Sequence, residues 1–80
     1  MAAYNVTVSE KTETFTLFKV SFGDPAQNDE IVKAAAEALS ELGDVGGPLA
    51  LVNGPASLPC ACVLAHHLAH RFGAVAVYDP

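Results

Sequence analysis

Positive charge is scarce in this chain. Only Lys11, Lys19, Lys33 and Arg71 carry it, against nine acidic residues, and the net charge is −5. The four cations do not cluster in sequence. Nonspecific binding to duplex DNA or RNA runs on clustered Lys and Arg, so a duplex partner is not expected. A small anionic ligand stays open, because helix N-termini and histidines hold phosphates without a basic surface. Cysteine is scarce too. Cys60 and Cys62 have neither the CxxC spacing nor the number of a disulfide framework. They read as reduced core residues, which fits a cytoplasmic protein. MAAYNVTVSE lacks the charged-then-apolar pattern of a leader. No apolar run approaches the roughly 20 residues of a membrane span, so no membrane partner is expected.

What is present is apolar. Half of the 80 residues are hydrophobic (51%). That length makes one domain with a marginal core. An apolar excess on so small a domain predicts a face covered by another subunit or domain.

The pattern predicts the order β-β-α-β-α-β. Tyr4 to Ser9 alternates, and Thr14 to Phe22 is rich in strand formers, with polar residues 10–13 between them. This reads as a β-hairpin. The second strand carries apolar residues on both sides and reads as covered on both faces. Gly23-Asp24-Pro25 breaks it, and Asp24 or Asn28 is the expected cap of the next helix. Ile31, Ala35, Ala38 and Leu42 recur at helical spacing up to Gly43. Leu49 to Val52 is a short apolar strand. A helix follows from Ala56 or Ser57 to Phe72, closed by Gly73, with Pro59 tolerated in its first turn. Ala74 to Tyr78 is a last buried strand. Alternation of strand and helix predicts an α/β fold, a hairpin followed by αβαβ, with an open parallel sheet and right-handed crossovers.

In such sheets ligands sit at the carboxyl ends of strands. The loop Asn53-Gly54-Pro55-Ala56-Ser57 and Asp79 are both predicted there. Gly54 would let the backbone approach a ligand closely, and the helix N-terminus behind it favours an anion. A strand-to-helix turn with a capping Ser would need the same residues. His66 and His70 are four apart, about 40° on a helical wheel, and His67 and Arg71 widen that polar sector to about 140°. Such a pair could ligate a metal, serve as general acid beside a phosphate, or be a solvated stripe. It lacks the Glu of HExxH, so a zinc protease is not expected. Asp79 reads as a metal ligand, a base or a turn residue before Pro80.

The C-terminal segment LVNGPASLPCACVLAHHLAHRFGAVAVYDP resembles the csx-three family of CRISPR-associated proteins, the small ring nucleases of type III systems. The shared features are an apolar strand ending in a small polar residue and Gly (Val52-Asn53-Gly54), an AHxxAH run (Ala65 to His70) and a strand ending in Ala76-Val77-Tyr78-Asp79-Pro80. The match covers about the last 30 residues.

The resemblance implies a small Rossmann-like domain akin to the sensor domains of those systems. It implies a homodimer, with a ligand-bridged tetramer when two dimers sandwich one ligand. The implied ligand is cyclic tetra-adenylate, cleaved with manganese to switch off antiviral signalling. A 3′ exonuclease activity on short adenylate-ended RNA is implied as well. Carried over by residue, His70 or His66 and Asp79 are catalytic, and Asp79 holds manganese. Asn53, Gly54, Pro55, Ser57, His67 and Arg71 would contact ligand. The alternative is a sensor or sponge that binds the ring without cleaving it. Where family members often have Arg after the loop Gly, this chain has Pro55. Family members also continue past this motif, some into an ATPase domain, so the chain is expected to be the N-terminal part of a longer protein or a minimal relative.

Overall fold

The computed structural model describes residues 3–77. Within them the order is β1 (Tyr4–Lys11), β2 (Thr16–Phe22), α1 (Asn28–Glu41), β3 (Gly47–Asn53), α2 (Leu58–Ala69) and β4 (Phe72–Val77). The sheet order is β1-β2-β3-β4. β1 pairs antiparallel with β2, whereas β2–β3 and β3–β4 are parallel. The segment β2-α1-β3-α2-β4 is a βαβαβ unit, so the fold is α/β with a small Rossmann-like open sheet.

Both crossovers step the same way across the sheet. Right-handed connections then put both helices on one face. Burial agrees. Tyr4, Val6, Phe18, Val20, Ala50, Val52 and Phe72 are buried together with Ala35 and Leu39 of α1 and Cys60, Leu64 and Leu68 of α2. The rings of Phe18 and Phe72 meet edge to face at 5.8 Å, a favoured aromatic geometry.

Coverage of β2 on both faces is therefore not what forms. Thr16, Phe18 and Val20 are buried, whereas Leu17 is half-buried and Lys19 exposed. Leu17, Leu51 and Ala76 lie side by side in register on the other face. Among the described residues no helix covers that row.

Element ends also differ from expectation. The hairpin strands run on to Lys11 and start again at Thr16, with a bulge between Val8 and Glu10. Thr12 organises the turn, its Oγ1 accepting from the backbone N–H of Thr14 and Phe15. The N-cap of α1 is Gln27 rather than Asp24 or Asn28, and its side chain makes no capping bond. Asp29 and Glu30 in the first turn complement the helix dipole instead. α2 stops at Ala69, and Phe72 is already the first residue of β4. Its ring is needed in the core under the sheet, and the Arg71 carbonyl is taken by the Gly47 N–H at 3.2 Å. Cys60 is buried as expected, but Cys62 is exposed, and both are free thiols. No helix is long and apolar enough to cross a membrane among the described residues.

Candidate functional site

The loop between β3 and α2 is held from three sides. Asn53 ends β3 opposite Lys19 of β2. Gly54 has φ 138°, and a Cβ there would lie 2.0 Å from the Val20 carbonyl oxygen. The glycine is thus required by β2 at its back. The Pro55 carbonyl accepts a 2.7 Å hydrogen bond from the Tyr4 hydroxyl. Tyr4 is fully buried, so its hydroxyl needs such a partner. Burial, and then the neighbouring Cys60, hold that hydroxyl well above the ordinary phenol range. Ser57 is the N-cap of α2, its Oγ accepting from the Cys60 N–H at 3.4 Å. The hydroxyl expected to meet a ligand therefore serves the helix.

α2 buries Cys60, Leu64 and Leu68 at four-residue steps. That fixes the exposed side, which carries Leu58, Cys62, His66 and His70. The buried side of the helix is therefore narrow. His66 and His70 face each other one turn apart, with ring centroids 4.8 Å apart and planes at 83°. Their Nε2 atoms are 3.3 Å apart. One ring's N–H can donate to the bare nitrogen of the other, the direction following the tautomers. His70 is the C-cap of the helix. His67 points elsewhere. It is half-buried and lines a crevice between the C-terminal ends of α1 and α2 with Leu39, Leu42, Val45 and Arg71. Arg71 donates from its guanidinium to the Gly43 carbonyl, satisfying a free carbonyl just past α1.

The structure therefore sorts the candidates into two groups. Asn53, Gly54, Pro55 and Ser57 gather at the carboxyl ends of β3 and β4, where Val52 pairs with Val77. His66, His67, His70 and Arg71 gather at the far end of α2. A helix that follows a parallel strand runs back along it. From Ser57 to His66 the axis rises about 13 Å and to His70 about 20 Å. One protomer does not bring the loop and the histidines onto one phosphate. Asp79 lies outside the described residues. Among those residues, no group of three or more His, Cys, Asp or Glu side chains converges to hold a metal.

Tyr4, which braces the candidate loop, is the residue that sequence reading passes over. The available signal was a tyrosine at an inward position of a strand, which must find a partner for its hydroxyl. Comparison with protein-family models, with curated proteins and with solved structures gives no match.

Proposed function

We propose that this chain is a CRISPR-associated ring nuclease that binds and cleaves cyclic tetra-adenylate and so switches off type III antiviral signalling. A 3′ exonuclease activity on adenylate-ended RNA belongs to the same proposal. One observation carries it. The AHxxAH run that underlies the resemblance presents His66 and His70 on an exposed helix face, with Nε2 atoms 3.3 Å apart. Two adjacent rings offer a bare nitrogen and an N–H together. That is the pairing needed to take a proton from a ribose hydroxyl and return one to a leaving oxygen. His70, at the helix end, is the first choice for this step.

The separation of loop and histidines supports a shared site. In an isologous dimer residue i of one copy meets residue j of the other and the reverse, so a two-fold can join the loop end of one copy to the histidine end of its partner. A tetramer bridged by the ligand is a second way to join them. The uncovered row of Leu17, Leu51 and Ala76 supports the homodimer. In this reading Asp79 is the manganese ligand, and manganese supplies charge neutralisation at the scissile phosphate.

The second reading is a binding module, a sensor or sponge. It is favoured by the internal commitments of Ser57 to its helix and Arg71 to Gly43, which keep both side chains occupied within the fold.

The test is incubation with cyclic tetra-adenylate, with and without manganese, followed by chromatography. Linear adenylates that need manganese and vanish in His70→Ala and Asp79→Ala support the nuclease. Mixing those two inactive variants should restore about a quarter of the activity if each site is built from two copies. Intact nucleotide co-eluting with the protein selects the binding module. Intact nucleotide that does not bind sinks both.

A further inference from the structure

We infer that His66 and His70 form a chelating site for a zinc-class divalent cation, with water completing its coordination. Three observations converge. Both rings are exposed, so an ion can reach them without unfolding anything. Their Nε2 atoms, not their Nδ1 atoms, are the ones that approach each other, at 3.3 Å. Nε2 is the ring nitrogen farther from the backbone, and both are on exposed residues. The third is angular. Two zinc–nitrogen bonds of about 2.0–2.1 Å closing on nitrogens at that spacing subtend about 105–110°, near the tetrahedral angle zinc adopts.

Imidazole nitrogens are borderline donors. They favour zinc, nickel and copper over manganese, which stands at the weak end of the divalent series. The tetrahedral opening favours zinc over the square-planar preferences of copper and nickel. The site is thus distinct in donor type from the carboxylate assigned to manganese above. It does not rest on the ring-nuclease reading and needs no nucleotide. It has a consequence for that reading all the same. An ion held by both Nε2 atoms occupies both lone pairs, so neither ring can move a proton while it is bound.

The experiment is calorimetric titration of the protein with zinc chloride, with no nucleotide present. The exposed thiol of Cys62 is removed by Cys62→Ser in every titration except one parallel run of the unmodified chain, because a free thiol also takes zinc. One ion per chain is expected. His66→Ala and His70→Ala should each weaken binding by roughly a hundredfold, since either one turns a chelate into a single contact. His67→Ala should retain the affinity, because its ring faces the crevice beside Arg71. Titration with manganese chloride should give far weaker binding. Circular dichroism of each variant checks that the helix persists. No zinc binding by the His66/His70 protein overturns the proposal. So does equal affinity in His70→Ala, or zinc binding confined to the chain that keeps Cys62.

Discussion

Replacing Gly54 with Ala should cost this domain a large part of its stability, whatever the loop binds. The backbone there has φ 138°, and the new methyl would meet the Val20 carbonyl oxygen at 2.0 Å, its carbonyl carbon at 2.9 Å and its Cγ2 at 2.9 Å. Two of these atoms are backbone of a central strand, so no rotamer change relieves the contact. Either the loop or β2 must move by about an ångström, where Lys19 and Asn53 make the last register pair of β2 and β3. Backbone strain at such a φ costs about 1–3 kcal/mol, and overpacking adds about 1–3 kcal/mol. The sum, about 2–6 kcal/mol, compares with a total stability of about 4–12 kcal/mol for a domain of this size. Urea unfolding followed by far-ultraviolet circular dichroism should show a lower midpoint with an unchanged slope. The melting temperature should fall by at least about 8 °C. Gly43→Ala is the control. Its φ is 74° and nothing lies within 4 Å of a Cβ, so it carries the backbone cost alone, about 1–2 kcal/mol. A loss below about 1 kcal/mol in Gly54→Ala would refute the packing account. It would return the glycine to the ligand-contact role expected from sequence.

Tyr4→Phe keeps the edge-to-face contact with Phe22 but removes the hydrogen bond to Pro55, and should destabilise by about 0.5–1.5 kcal/mol in the same urea assay. Ser57→Ala removes the cap of α2 and should cost about 1 kcal/mol, visible as faster amide exchange in the first turn of that helix and not in α1. Alkali should destabilise the fold. Burial, then Cys60, raises the Tyr4 hydroxyl above its ordinary 10.0. Burial also raises the Cys60 thiol above its ordinary 9.0, against a smaller lowering by its hydrogen bond with Tyr4. The folded chain then keeps protons that the unfolded chain releases, so stability is full below about pH 9 and falls as pH rises, at a limiting slope of about 1.4 kcal/mol per unit for each group. Urea midpoints that stay flat from about pH 8.5 to 11 would contradict this, and Tyr4→Phe should remove the tyrosine share of the fall.

The order of elements is legible because each has its own period. Alternation marks β1, and spacing of three and four marks α1. Runs of apolar residues between turn signals mark β3 and β4. The end of α2 is not legible in this way. Helical spacing continues through His70 and Arg71, and nothing local tells Phe72 to begin a strand. That choice is made by Phe18, 54 positions earlier, whose ring it meets. The reason for Gly54 is hidden for the same cause. It lies in Val20, on a strand that sequence alone does not place behind the loop. The histidine pair was legible, since four-residue spacing on a helix brings side chains together. Its distance from the Asn53 loop was legible too, from topology. Each helix after a parallel strand reverses direction, so residues at its far end lie at the opposite edge of the sheet from the strand end before it.

That reversal bears on how the domain could act at all. The loop is braced by Val20, Tyr4 and the Ser57 cap, and α2 is pinned along its length by Cys60, Leu64 and Leu68. Neither group can travel toward the other without unpacking the core. A bend of about 13–20 Å within one protomer is therefore not available. In the proposed nuclease, closing the gap would take a second copy, through a two-fold that pairs unlike ends or through a ligand-bridged tetramer. A ligand with several phosphates around a ring can meet the loop end of one copy and the histidine end of another at once. Catalysis in the proposed nuclease then belongs to the assembly. On the proposed reading an isolated protomer would bind ligand through its loop, and a zinc-class ion through His66 and His70, without turning the ligand over.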